Sequence, residues 1–321
     1  MLPGSLIGFA MVFILVCGVL SAMLTCGFAL TQRRLAQLGP AAERRVAELA
    51  ASVPVLLALA VVTVLVVRTQ LAVDHCSTHD HHAHLCIEHG NAWAQRPWIV
   101  ASVAAAMMMI VGRLSVLGGV LLRGCIAVAR LRRVSRIEGD VRLVESARPF
   151  CFVAGLHRPE IYASTAAWEG LDDDERDAML AHERAHVQGR DLARRILLEL
   201  LASFAAPLAP RFLHRSWKHA TERLRDAQAA SVVGAPGVVA RAMVRMCRLG
   251  AGHIVPGLAA FPAGDGRALA ERVQALLAEQ PTGEQAARTL GITMSAASVA
   301  IGLAALALAE PLHHLLETLL G

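Results

Sequence analysis

Charge is scarce in this chain. Only 18% of its 321 residues are Asp, Glu, Lys or Arg, whereas 55% are hydrophobic and the mean hydropathy is +0.49. So little charge beside so much apolar surface excludes intrinsic disorder. Glycine, proline and cysteine, at 25, 13 and 7, are too few for a collagen-like repeat or a small disulfide scaffold. Lysine is nearly absent: Lys218 stands alone beside 30 arginines. The net charge of +5 does not call for nucleic acid, since arginines beside membrane spans account for it equally well, and no direct nucleic-acid binding is expected. A polytopic membrane protein with one modest soluble domain remains.

Four apolar runs carry the membrane reading. The first, Leu6 to Leu30, has no charge in 25 positions, more than the roughly 20 residues that cross a bilayer. A cleaved signal peptide competes, but Met1 to Ser5 hold no Lys or Arg and the run is long for that role. The second run is Leu49 to Val67; the third starts at Pro97 and continues past Arg113 to Leu122; the fourth is Thr289 to Ala309. The expected organisation is three spans within 1–122 (6–30, 49–67 and 97–122) with a connection at 68–96. A soluble domain follows at 123–288, then a fourth span and short tail at 289–321. Arg113 is expected near a helix end, its guanidinium extended toward the headgroups.

Arginine placement sets the expected orientation. Arg33, Arg34, Arg44 and Arg45 lie between the first two spans, and Arg123, Arg130, Arg132, Arg133 and Arg136 follow the third. The second connection has Arg68 and Arg96 only at its ends, and the tail after Ala309 has none. The positive-inside rule then puts both termini outside and the soluble domain in the cytoplasm. The external connection reads DHCSTHDHHAHLCIEH and holds His75, His79, His81, His82, His84 and His89. These imidazoles could bind Zn²⁺ or Cu²⁺ and gate the domain inside; the plainer reading is a solvated loop closed by a Cys76–Cys86 disulfide. Cys125, Cys151 and Cys247 are expected to stay reduced, while Cys17 and Cys26 sit in the first span as small apolar residues.

The soluble segment opens with strand-like stretches, VRLV, PFCFV and EIYAS, around a turn at Gly155 to Pro159. At Leu171 the pattern changes: Asp172 and Glu175 have capping-box spacing and begin a helix. That helix contains His182-Glu183-Arg184-Ala185-His186. Residues four apart share a helix face, so both imidazoles can reach one metal ion, with Glu183 beside them as a base. Zn²⁺ suits such ligands and lowers the pKa of its water to about 7. A third ligand is needed. Leu192 occupies the position where a metzincin has its third His, leaving Glu199, His214 and Glu222 as candidates. Glu222 has the best context, because His219, Glu222 and Asp226 fall at i, i+3 and i+7 and Asp226 could orient an imidazole. The bland alternative is a solvated face of paired charges. The oxyanion stabiliser stays open among His214, His219, Tyr162 and several arginines.

HERAH, then Asp191 five residues later, then Glu222-x-x-x-Asp226 and the stretch ARPFCFVAGLHRPEIYAS resemble the membrane zinc metallopeptidases of the β-lactam sensor and antirepressor family. The resemblance extends to the topology. It implies an α-helical membrane protein with four transmembrane helices and a cytoplasmic α+β gluzincin-type metallopeptidase domain, in a bacterial inner membrane. It implies His182, His186 and Glu222 as Zn²⁺ ligands, Glu183 as general base, and Asp191 and Asp226 as carboxylates that hold the ligands. It further implies a protein substrate, a winged-helix transcriptional repressor or the chain itself, and is compatible with a homodimer. Two departures stand out. Arg225 replaces a Cys common before the second Asp, and only 12 residues follow Ala309, so a penicillin-binding sensor domain is not expected. Two other classes compete: a quality-control protease similar to the prenyl-peptidase and heat-shock protease family, and a proteolytically inactive membrane receptor.

Overall fold

A computed structural model of the chain describes residues 3–71, 96–205, 209–250, 266–278 and 282–307. Its elements begin with α1 (Pro3–Leu38), α2 (Pro40–Leu71) and α3 (Pro97–Val134), followed by β1 (Ser135–Glu138), β2 (Val141–Val144), β3 (Cys151–Ala154) and β4 (Glu160–Ser164). They continue as α4 (Thr165–Gly170), α5 (Asp173–Gly189), α6 (Asp191–Ala202), α7 (Ala209–Val233), α8 (Pro236–Arg248), α9 (Gly266–Leu277) and α10 (Glu284–Ala307). Residues 72–95, with all six histidines and both cysteines of the expected external loop, lie outside the described residues, as does the tail from 308.

Four helices are long and apolar enough to cross a bilayer: Leu6–Leu38, Pro40–Val67, Pro97–Val134 and Glu284–Ala304. These features are those of a multi-pass membrane protein. The first three run well beyond the apolar segments read from the sequence. α1 continues past Leu30, and α2 begins at Pro40 rather than Leu49. Only Gly39, at φ 103°, separates them, a left-handed position where glycine meets no steric cost. Pro40 then fits the first turn of α2, where its missing N–H is not needed. These polar turns stay helical because the soluble domain covers them, burying Glu43 and Glu48 to 3% and 9% exposure. α3 likewise leads directly into β1.

The sheet has the order β1-β2-β4-β3, with β2 and β4 parallel and the other pairs antiparallel. The three apolar strands lie where the sequence suggested. β1, Ser-Arg-Ile-Glu, is largely exposed and gave no hydrophobic signal; it forms because Gly139 and Asp140 turn the chain back onto β2. Alternate side chains serve opposite faces. Val141, Leu143, Val153, Ile161 and Ala163 pack with Met179 and Leu180 of α5. Val144, Phe152, Ala154 and Tyr162 pack with Val128 of α3 and Leu192 of α6. The sheet is therefore buried on both sides, with β3 as the edge strand on one flank.

α6 and α7 lean on the membrane helices. Leu198, Leu213 and Trp217 share a core with Phe28 and Leu35 of α1 and Val46, Ala47 and Ala50 of α2. Farther along, Leu201 and Phe204 pack against Cys17, Val55 and Ala58. Arg113 of α3 turns toward the chain that follows α6. Its Nη1 donates to the carbonyls of Ala202 at 3.3 Å, which also accepts from the Ala205 N–H, and of Ala205 at 2.8 Å, placing a cation at the C-terminal end of α6.

Trp217 is fully buried, and its indole N–H donates to Glu48 at 3.1 Å. Trp217→Ala is expected to destabilise the chain by about 3–5 kcal/mol. A lowered thermal midpoint of the detergent-solubilised protein, followed by circular dichroism, checks this.

Candidate metal centre

The site is built on α5. Asp172 accepts from the backbone N–H of Glu175 at 2.8 Å and Glu175 accepts from that of Asp172 at 3.3 Å, so the capping box fixes where the helix begins. Ala178 and Ala181 face α7, α8 and α9, while Met179 and Leu180 face the sheet. That wedge leaves His182 and His186 along the seam with α7 and Glu183, one turn on from Met179, close enough to β3 for its charge to act on Cys151. At the other end Arg190, with φ 50° and ψ 41°, ends α5 and begins α6. This reversal brings Asp191 back over the helix it has just left.

Three acceptors converge there. His182 Nε2 and His186 Nε2 are 3.0 Å apart, and Glu222 of α7 comes within 3.7 Å of the first and 3.8 Å of the second. Behind each ring stands a carboxylate: His182 Nδ1 is 3.0 Å from Asp226 Oδ1, and His186 Nδ1 is 2.8 Å from Asp191 Oδ2. An ionised carboxylate only accepts, so each Nδ1 carries the donated proton and each Nε2 turns its lone pair toward the other. Two ring nitrogens facing one another at 3.0 Å are reconciled either by a proton shared between them or by a metal cation that both ligate.

The remaining chemistry fits a dication. The ligand atoms of His182, His186 and Glu222 lie within 4.8 Å of one another. Two atoms each ~2.0–2.1 Å from a tetrahedral Zn²⁺ stand roughly 3.4 Å apart, a value that the observed separations straddle. Glu222 Oε1 is buried without a hydrogen-bond partner, which is costly unless another ligand satisfies it. Glu183, Glu222, Asp191 and Asp226 bring four carboxylates against the guanidiniums of Arg44, Arg225 and Arg272, so the site has excess negative charge to offset.

The arginines carry the part of the site that the sequence did not disclose. Arg225 does not approach Asp226, its neighbour in the chain. Its Nε and Nη2 clamp Asp191, each at 2.6 Å, and Nη1 donates to Gln228. Gly189 makes room for it, since a Cβ there would overlap the Arg225 guanidinium. Asp226 is clamped by Arg272 of α9, both bonds at 2.7 Å, and Arg272 Nη1 also lies 2.9 Å from Glu222 Oε2. Arg44 of α2 adds a third donor to Asp191, at 3.3 Å. Of the alternative third ligands, Glu199 and His214 stand 4.0 Å apart from each other, with Glu199 paired to Arg195 at 2.9 Å. Tyr162 donates to Glu160 on the sheet face away from α5.

This arrangement shifts the titrating groups. Burial pushes Glu183 upward, an effect partly offset by His182 and His186. Burial also pushes Cys151, on the neighbouring edge strand, well upward, and the Glu183 charge adds to it, so the thiol stays protonated. At Asp191 burial acts upward too, but the hydrogen bonds from His186 and Arg225 prevail and hold it down to about 2. Asp226 is depressed further, its own burial overcome by Arg272 and His182.

Two outcomes follow. Because Asp191 titrates lower when folded than when unfolded, its contribution of roughly 2 kcal/mol is complete above pH ~4. It is expected to disappear as the pH falls toward about 2, which acid titration of the metal-stripped protein would reveal as a drop in unfolding free energy over that window. Gly189→Ala is expected to drive Arg225 off Asp191 and destabilise the fold by about 3–5 kcal/mol. Thermal unfolding measures that loss, and metal content after dialysis measures the accompanying loss of affinity.

Residues 127–282 match the sequence model of Peptidase family M48. No curated protein and no solved structure matches the chain. The family match stops at that level and does not reach the β-lactam sensor and antirepressor group suggested by the resemblance. It takes in the end of α3, the sheet and α4 to α9, so this stretch of the chain is similar to the M48 peptidases and lies among four candidate membrane helices.

Proposed function

We propose that the protein is an integral-membrane zinc endopeptidase, with Zn²⁺ held by His182, His186 and Glu222. The observation that carries this reading is the convergence of three acceptors on one point, each imidazole backed by its own buried carboxylate, with Glu183 beside them. Bound Zn²⁺ supplies Lewis acidity toward a peptide carbonyl and lowers the pKa of water. Glu183 accepts the proton from the attacking water and passes it to the leaving amine; its burial and consequent upward shift suit a carboxylate that must both take and return a proton. Asp191 and Asp226 hold the two imidazoles in the tautomer that directs Nε2 at the metal.

β3 is an edge strand beside α5, so an extended peptide adding to its outer side would lie along the seam that carries Glu183. Substrate recognition would then rest on Cys151–Ala154, whereas β4, inside the sheet, has no edge to offer. The excess of arginine at the domain-side ends of α1, α2 and α3 supports a cytoplasmic domain. Cleavage then occurs at the inner face of the membrane.

Two physiological settings accord with this chemistry. The resemblance in HERAH and Glu222-x-x-x-Asp226 favours a signalling peptidase that cleaves a transcriptional repressor or itself. The M48 match is equally compatible with membrane-protein quality control of the prenyl-peptidase and heat-shock protease type. Glu183→Gln separates both from an inactive receptor: it is expected to retain zinc yet reduce cleavage by at least 10²-fold. Labelled-terminus mass spectrometry of cells expressing wild type or Glu183→Gln checks this. New termini confined to a repressor or to this chain would favour signalling, termini spread over many membrane proteins would favour quality control, and identical termini would refute the peptidase.

A further inference from the structure

α2 lies outside residues 127–282, the extent of the peptidase match, yet its domain-side end enters the metal centre. Pro40 to Glu48 contact the site's scaffold at three successive levels. Glu43, 3% exposed, pairs with Arg223, the neighbour of Glu222. Arg44 Nη1 donates to Asp191 at 3.3 Å. Glu48 accepts from Arg194 at 3.2 Å and from Trp217 at 3.1 Å. The same helix continues without interruption through the apolar segment to Val67.

We propose that Arg44 is a positioning residue for the metal centre, and that the seating of membrane helix α2 thereby sets the orientation of His186. The inference rests on the zinc-peptidase reading and adds to it a link to the membrane. Asp191 is fully buried and receives three partners, namely His186, Arg225 and Arg44. Two of them belong to the peptidase domain itself. Arg44 alone among these partners comes from a membrane helix, so it is the contact that a shift of α2 would alter. Each residue of an α-helix advances ~1.5 Å and turns about 100°. A slide or rotation of one residue would carry Arg44 from a hydrogen-bonding distance to none, leaving the Arg225 fork alone to hold Asp191 and the ring behind it. Glu43 makes the dependence steeper: its pair with Arg223 anchors the same turn of α2 to the residue beside the third ligand.

The test uses the full-length protein in detergent, stripped of metal and titrated with Co²⁺, whose visible absorption reports ligand geometry, and with Zn²⁺ against a chelating indicator. Arg44→Gln is expected to weaken Zn²⁺ affinity about 10-fold and to alter the Co²⁺ band shape. Arg44→Lys, which keeps the charge without the planar fork, should fall between that variant and wild type. Glu43→Gln, which loosens α2 without touching Asp191, should move both readouts in the same direction. Arg45→Gln, which removes a half-exposed contact to Glu48 at 3.5 Å, should leave both within twofold of wild type. If Arg44→Gln and Glu43→Gln lower the thermal midpoint but keep the wild-type Co²⁺ band and Zn²⁺ affinity, α2 is only a staple and the inference is overturned. If wild type takes up no Co²⁺ in a ligand-field band, the zinc reading itself fails and this inference falls with it.

Discussion

A carboxylate with no exposure to water must be satisfied from within the protein, and Asp191 is the point at which most of this structure meets that demand. It accepts from the ring behind one candidate ligand, from a guanidinium on α7 and from another on α2. The left-handed residue Arg190 puts it there, the absence of a side chain at Gly189 lets Arg225 past, and the burial of α2's first turns brings Arg44 into reach. Asp226 is the counterpart behind His182, clamped by Arg272. Two buried carboxylates, each satisfied by an imidazole and an arginine fork, fix two rings at once. Neither clamp would form without the packing of α5 against α7.

Buried ion pairs of this kind are a doubtful source of net stability, because desolvating both partners costs several kcal/mol. Their value here lies in direction. A guanidinium fork holds both oxygens of a carboxylate in one plane, so the carboxylate cannot swing, and the imidazole bonded to it cannot flip. A small thiol before Asp226 would leave Asp191 without its fork. The substitution of arginine at 225 is thus not a defect in the second motif. Its side chain serves the first motif, across the seam, and the lack of a side chain at Gly189 leaves the space it occupies.

How much of this could be read in advance follows the range of each interaction. The capping box, the His182–His186 spacing and the Glu222–Asp226 spacing are local and periodic, so they show in the sequence as soon as a helix is recognised. The partners of Asp191 and Asp226 are not local: Arg225 lies 34 positions from Asp191, Arg272 lies 46 from Asp226, and Arg44 lies 147 from Asp191. Nothing in a sequence of many arginines distinguishes those three from the others. β1 escaped for the opposite reason, since its residues are mostly polar and exposed and only pairing with β2 makes them a strand. The helices run past the apolar segments because hydrophobicity marks where lipid stops, whereas a helix continues as long as something covers its polar turns.

The same continuity explains where the metal centre sits. Along α2, Arg44 stands level with Asp191, Glu48 with Arg194, and Val55 and Ala58 with Leu201 and Phe204. α6 therefore runs alongside α2 from the candidate metal centre into the apolar zone, and Arg113 closes its far end. From Arg44 to Ala58, at ~1.5 Å per residue, is about 20 Å, comparable to half a bilayer with its headgroup layer. Arg44 lies five residues before Leu49, where the apolar run of α2 starts, so the candidate metal centre sits within a few residues of that run. A peptide presented there needs to extend only a short way from a membrane anchor to reach Glu183, whereas a folded soluble protein would have to bring a loose segment to the membrane surface. Under the proposed peptidase function, that position would suit a substrate that is itself membrane-bound or tethered beside the membrane.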